Sequence, residues 1–252
     1  MPEIFSSEHM FSYKTYTFGY ALYAKRIKNE PLDPVYEKGF LPYTGDAIAS
    51  EDPLFYMARS ARVMLKNFTL SSENKRIKKK FSDMQFMVTE KPASEYLKNK
   101  TMINFCIEYF EKRHGHGIMT VERIKKLLSY SKEVVVVEYR NAQTENPCAY
   151  VIEIHGKHMR HYWFSFFDVA LAYSSFGMWL MIDRTEHAKS VAKTFYYLGT
   201  VYGDKALYKT NIPSLEYWNG QQWVSDIKKL KSRARTDDTR VTFIPDELKE
   251  QD

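Results

Sequence analysis

In the 252-residue chain, Phe195-Tyr-Tyr-Leu-Gly199 is followed by Tyr202, Lys205, Tyr208-Lys-Thr-Asn-Ile-Pro213-Ser-Leu-Glu216, Trp218 and Trp223. An aromatic, β-prone run that stops at a glycine, ahead of a lysine-bearing segment with one proline, reads as a buried strand delivering its end to a site. A second chemistry-bearing stretch crowds Lys75, Arg76, Lys78, Lys79 and Lys80 into six positions behind Ser71-Ser72. Cations at a helix start oppose the macrodipole, so the cluster asks for an anion such as phosphate; a solvated basic face is the other reading.

Other candidates lose their chemistry on inspection. His155, His158 and His161 flank a turn at Gly156-Lys157, a hairpin tip rather than a converging ligand set, so no metal is expected there. His114-Gly-His-Gly117 ends a helix and follows no strand, which makes it a poor phosphate loop. Ser175, Asp183 and His187 are available, but no serine sits in a G-x-S-x-G elbow. Cys106 and Cys148 lack the paired spacing of a zinc or iron–sulfur site and read as free thiols.

Composition sets the outer bounds. With 44% hydrophobic residues the chain can build a substantial core, which excludes wholesale disorder. The 19 Tyr and 16 Phe favour broad amphipathic surfaces over aliphatic packing. A balance of 37 Lys plus Arg against 31 Asp plus Glu, net +6, is compatible with a polyanionic partner without demanding one. The opening MPEIFSSEHM has neither a basic nor an apolar leader region, and no run of about 18 apolar residues occurs, so a soluble cytoplasmic protein with no membrane partner is expected.

These residues need elements to position them. Pro31, Pro34, Pro42 and Pro53 block long helices, so residues 1–55 read as short helical turns and a loop. A strand is expected over 60–66, then a helix from Glu73 capped by Ser71 or Ser72. Helices follow from Pro92 to His114-Gly115 and over 121–130. Three β-rich runs, 133–139, 148–154 and 160–167, form an antiparallel meander, and a helix over 177–193 returns the chain to a fourth strand, 194–202. The tail from Lys228 reads as charged and disordered. The fold class is therefore α+β (α/β), a mixed, mostly antiparallel sheet flanked by helices, in the element order of the GCN5-related N-acyltransferase fold. Acetyl-CoA-dependent members of that fold hold pyrophosphate on a Gly-rich turn after the fourth strand. The corresponding stretch here, Val201-Tyr-Gly-Asp-Lys-Ala-Leu-Tyr-Lys209, has one glycine and bulky neighbours, so coenzyme A is not expected as donor.

The order and spacing of YYLG, YK, P and E followed by W resemble the C-terminal signature of the aminoacyl-tRNA–protein transferases, the arginyl and leucyl enzymes that extend protein N-termini. Tyr36-Glu-Lys-Gly-Phe40 with Thr44-Gly45 is similar to that family's Gly-aromatic-Arg-Arg-Ser-Gly loop. Arg62-Val63 with Phe68, Ser71, Asn74, Lys75 and Arg76 looks like its arginine-bearing strand running into a Ser-x-x-Gln-Arg basic helix. Phe166-Phe-Asp168 and Ser175-Phe-Gly177 resemble its Tyr-Asp and Ser-Leu-Gly elements. The pieces are short and colinear, spanning about Pro34 to Trp223. Two departures stand out. No cysteine remains around Phe18-Gly19-Tyr20-Ala21 and Met57-Ala58, so the family's metal or cluster does not carry over. Leu41, Pro42 and Tyr43 replace the loop's paired arginines, which in the family suit an acidic N-terminal residue.

The resemblance implies transfer of an amino acid, arginine or leucine, from charged tRNA to the α-amine of a protein or peptide, with aminoacyl-tRNA as donor and no cofactor. It places backbone donors at Leu198 and Gly199. Asp168, Tyr208 and Lys209 would position the aminoacyl-adenosine end. Gly39, Phe40, Tyr43, Thr44, Gly45 and Arg62 would receive the acceptor, and Lys75, Arg76, Lys78, Lys79 and Lys80 would track the tRNA. Residues 1–92 would then be an acceptor and basic-helix region, 93–227 the acyltransferase-like region and 228–252 a charged tail. A non-catalytic RNA- or protein-binding relative and an acyl-CoA N-acyltransferase are the competing readings.

Overall fold

The computed structural model describes residues 3–12, 17–26, 30–44 and 53–240. By contacts the chain forms two compact units, one from residues 1–62 with 199–252 and one from 63–198. This grouping differs from the sequence-ordered regions expected above, because strands distant in sequence share a unit.

The first unit carries β1 (Glu3–Ser12), β2 (Thr17–Lys25), helix α1 (Asp33–Glu37), β3 (Phe40–Pro42) and β4 (Leu54–Met57). The strands make one antiparallel sheet in the order β1-β2-β4-β3. The expectation of turns and a loop over 1–55 is therefore corrected. The prolines punctuate strands and α1 instead: Pro34 sits in the first turn of α1, and Pro42 closes the edge strand β3, where a missing N–H breaks no ladder. Tyr23, Tyr36, Phe40 and Phe55 form the core of this sheet.

Strand β5 (Ser60–Met64) carries the chain into the second unit. There follow helix α2 (Ser72–Lys79), β6 (Phe86–Pro92), helices α3 (Lys100–His114) and α4 (Val121–Leu128), and strands β7 (Val134–Asn141), β8 (Pro147–His155) and β9 (Met159–Phe167). Helix α5 (Phe176–Ser190) then leads to β10 (Phe195–Thr200). Strands β6 to β9 pair antiparallel in sequence order, and β10 lies parallel to β9 with Tyr196 opposite Arg160. A mostly antiparallel sheet flanked by helices is thus present, as expected. The valine run of β7 is apolar at consecutive positions because helices cover both faces. Trp179 of α5 packs on Tyr139 on one face, while Phe105 and Phe110 of α3 pack on Tyr150 and Phe166 on the other. Within this unit the unforeseen strand is β6: it lies at the sheet edge and reads as polar.

Beneath α5 lies a buried ionic network. The Glu153 carboxylate is fully buried and accepts from Arg184 Nε at 2.9 Å and from the Tyr196 hydroxyl at 2.6 Å. Arg184 also pairs with Glu90, which accepts from Arg160 Nη1 at 3.0 Å. Burial works to raise the Glu153 carboxyl, yet Arg184 and the neighbouring His155 outweigh it and hold it far below the usual carboxylate range. Burial likewise opposes ionisation of Glu90, and Arg184 and Arg160 again keep it low. Two tyrosines, Tyr96 and Tyr150, donate to Glu138 on the opposite face.

The chain leaves along β10 and completes the first unit with a 3-10 segment (Asp204–Asn211), the hairpin β11 (Leu215–Trp218) and β12 (Trp223–Val224), and helix α6 (Ile227–Arg240). The expected disorder from Lys228 is corrected as far as Arg240: Leu230 and Ala234 lie four apart and are buried, which gives a charge-rich helix an inner face. Residues 241–252 lie outside the described ones.

Candidate active site

Within the first unit, the end of β10 and the segment behind it converge. Gly199 has φ +80°, a left-handed conformation that glycine adopts without strain, and turns the strand end. Ten residues later Lys209 folds back, and its Nζ donates to the Thr200 carbonyl at 2.8 Å. Burial pushes the Lys209 amine down to about 8, because an ammonium shut away from water loses hydration that one carbonyl does not replace. With one N–H fixed on Thr200, the neutral amine keeps a lone pair for accepting a proton. Tyr208 beside it is exposed. The structure thus brings Gly199, Lys209 and Tyr208 to one place and adds Thr200.

A second cluster in the same unit holds Arg62 and Gly39, two of the residues expected at the acceptor. Arg62 Nε donates to Glu216 Oε2 at 2.9 Å, and its guanidinium lies 4.1 Å from the Trp223 ring centroid. The Trp223 indole donates to the Glu37 carbonyl at 2.8 Å and stands edge-on to Trp218, with centroids 5.5 Å apart. Gly39, at φ +80°, lies under Trp218: a Cβ there would meet the ring at 2.3 Å. Gly39→Ala is therefore expected to destabilise the protein by about 3 kcal/mol, read as a lower urea midpoint; an unchanged midpoint would refute this packing. Phe40 is 1% exposed and belongs to β3, so it supports this cluster from the core rather than facing a ligand as part of a loop. Tyr43 and Thr44 follow it half-buried. Gly45 lies outside the described residues.

In the second unit, Leu198 is buried at the close of its strand. Asp168 is exposed directly after β9, and its carboxylate accepts from the Ala170 N–H at 2.9 Å, capping the turn that follows. The basic helix begins one residue before Glu73, with Ser71 Oγ accepting from Asn74 N at 3.1 Å. Contrary to expectation, most of these cations do not oppose the macrodipole. Helix α2 is only eight residues long, so Arg76, Lys78 and Lys79 occupy its last turn, where cations are favourable. Arg76 pairs with Glu73, and Lys78 with Glu186. Lys75, Lys79 and Lys80 are exposed. Nearby, a cleft of about 580 Å³ is lined by Phe68, Thr69, Leu70, Lys75 and Lys189, with Glu186 and Ser190 at its side.

The residues that sequence reasoning missed are Thr200, Arg59 and Asp237. Asp237 was hidden in the charged tail; the readable signal was the Leu230 and Ala234 pair. Arg59 carries no local signal, since its partners lie more than 140 residues away.

Among the described residues, no helix is long and apolar enough to cross a membrane, and no group of three or more His, Cys, Asp or Glu is placed to hold a metal ion. No family model matches the chain, and no curated protein is significantly similar to it. Among solved structures it is similar to the C-terminal domain of a protein assigned as a lysylphosphatidylglycerol synthetase from Agrobacterium fabrum, at 12% identity over 71% of this chain and 54% of that one, with a TM-score of 0.43. It is also similar to FemX, at 8% identity over 76% and 68% of the two chains, with a TM-score of 0.48. A third is the GCN5-related glucosamine N-acetyltransferase region of a fungal multi-domain β-N-acetylglucosaminidase, at 10% identity over 64% of this chain and 19% of that one, with a TM-score of 0.40. The chain spans about half the length of the synthetase chain and about a fifth of the fungal one.

Proposed function

We propose that the protein transfers an aminoacyl group from a charged tRNA to the α-amine of a protein or peptide N-terminus, with arginine or leucine as the residue the resemblance implies. The observation that carries the reading is the Lys209 amine, on a half-buried side chain, fixed on Thr200 at 2.8 Å at the end of the YYLG strand. The ester is already activated, so the enzyme must align amine and carbonyl and accept a proton. The acceptor nitrogen attacks the ester carbonyl, Lys209 takes the proton it sheds, and the C–O bond to the ribose breaks as the amide forms. The ribose oxygen leaves with a proton. Tyr208 would position the aminoacyl-adenosine, and the tRNA itself brings the activated group, so the proposal includes no cofactor.

The test is transfer of radiolabel from a pool of charged tRNAs to peptides differing only in their N-terminal residue. Label on one peptide class supports the reading and names the acceptor. Label on none, with tRNA binding intact, favours a binding relative, a reading supported by Arg62 being held by Glu216 and Trp223. Stabilisation by coenzyme A in a melting assay would instead point to an acyl-CoA donor.

The exposed cations make a separate prediction. Changing Lys75, Lys79 and Lys80 together to Gln is expected to lower tRNA affinity at all sequences and to reduce the salt slope by about 2–3. Arg76→Gln, which removes a cation already paired with Glu73, changes the slope less. Equal slopes for the triple variant and the parent protein would exclude α2 as a phosphate contact.

A further inference from the structure

Arg59 and Asp237 lie 178 residues apart in sequence and meet within the first unit, Nη1 to Oδ2 at 2.6 Å and Nη2 to Oδ1 at 3.1 Å. Their side chains are 9% and 19% exposed, so the pair is largely withdrawn from water. Their further bonds go to three successive residues of the segment that joins Thr200 to Lys209. The Arg59 carbonyl accepts from Val201 N at 3.0 Å, and its Nη1 donates to the Val201 carbonyl at 3.3 Å. Its backbone N–H donates to the Tyr202 hydroxyl at 2.8 Å, and its guanidinium lies 4.8 Å from the Tyr202 ring centroid. Asp237 accepts from Gly203 N at 3.2 Å.

The geometry has a direct consequence for the lysine. Residues 200–209 form a loop closed by the bond from Lys209 to Thr200. Fixing 201–203 fixes where the Thr200 carbonyl points, and so where the amine sits. Two buried side chains stand under Asp237 on α6, Leu230 and Ala234, so the helix is a strut rather than a frayed end. We propose that Arg59 and Asp237 are a positioning pair for Lys209, carried by α6. The proposal rests on the transferase reading for its catalytic meaning and on geometry alone for the rest.

Charges on the surrounding elements do not offer a simpler account. Asp204 of the loop and Arg235 of α6 stand 3.9 Å apart and exposed. Lys205 on the loop and Lys228, Lys229, Lys231, Arg233 and Arg240 on α6 are the other cations, Asp238 is a further acid on α6, and the Tyr208 ring centroid lies 6.0 Å from Lys209 Nζ. Burial is what lowers Lys209, so its titration reports how well the loop excludes water.

The experiment uses the full chain and two readouts. Acetylation of Lys209 by a succinimidyl ester, followed by mass spectrometry across pH, gives its titration midpoint without any turnover. Transfer of label from charged tRNA across pH gives the acid limb of activity. In Asp237→Ala the midpoint is expected to rise from about 8 by one unit or more, transfer at pH 7 to fall roughly tenfold as the neutral fraction falls, and KM for tRNA to stay unchanged. Asp237→Glu restores most of both. Asp237→Asn, which keeps the shape, decides the point if the alanine variant does not fold. A midpoint that stays at the parent value in both Asp237→Ala and Asp237→Asn overturns the positioning role. No transfer by the parent protein, with the midpoint still moving in Asp237→Ala, overturns the transferase reading and leaves the positioning pair standing.

Discussion

Lys209→Met lowers aminoacyl transfer by about 10²–10⁴-fold, the range for loss of a general base, with no loss of thermal stability. The methionine keeps the unbranched stem and loses only the amine. In the parent protein, kcat/KM rises with pH and levels above about 8, because below that value both Lys209 and the acceptor α-amine, which ordinarily titrates at about 7.7–8.0, are protonated and have no lone pair to offer. Stability follows the same group. The folded-state value lies below the 10.5 of a free lysine, so the favourable contribution is complete above 10.5 and lost as pH falls through about 8. At pH 7 the wild-type chain therefore holds an unfavourable buried cation, and Lys209→Met is expected to melt no lower than the parent. Lys209→Arg, charged at every accessible pH, stays inactive. Full activity of Lys209→Met would remove the lysine from the mechanism.

Arg184→Met lowers stability by about 3–5 kcal/mol, a drop in Tm on the order of 10 °C. The change leaves Glu153 buried with its main cation gone; Tyr196 and His155 remain as hydrogen-bond partners, and Arg160 Nη1, at 3.7 Å and shared with Glu90, replaces only part of the two-point contact that Arg184 made. The double variant with Glu153→Gln is expected to recover much of the loss, since the uncompensated charge is removed with its partner. The pH dependence has a definite sign. Glu153 is depressed in the folded state, so its contribution is present above the ordinary carboxylate range and fades only as pH falls well below it. In Arg184→Met the Glu153 carboxyl loses the partner that held it low, so protonation relieves its buried charge and the gap between variant and parent narrows in acid. Equal melting of parent and variant at pH 7 would contradict the network.

What was legible in the sequence is what local pattern controls. The valines of β7 and the aromatic run of β9 announced a meander, and Ser71 announced a helix start, because each depends on neighbours within a few residues. Strand β6 escaped because an edge strand with Glu90 and Lys91 on it does not read as apolar. The small sheet at 1–57 escaped because prolines were read as loop markers when they sit at strand edges and a helix start. The site divided along the same line. Gly199, Tyr208 and Lys209 fall in one short signature, and Lys209 folds back onto Thr200 beside Gly199, whereas Arg59 and Asp237 find each other only through the completed fold. Arg62 and Gly39 were singled out for an acceptor, and the structure adds what spacing could not carry, their packing against Trp223 and Trp218.

The division of the chain also orders its birth on the ribosome. Residues 63–198 are contiguous, so that unit can close while synthesis continues. The unit holding Lys209 needs residues 1–62 together with 199–252: β1 to β4 find their strand partners in one another early, but Gly39 and Arg59 must wait for Trp218 and Asp237. A nascent chain stalled before Asp237 would carry every residue of the second unit and a first unit in which Arg59 still lacks its carboxylate, which makes the 200–209 segment the place where a proteolytic clock on translation intermediates should cut first.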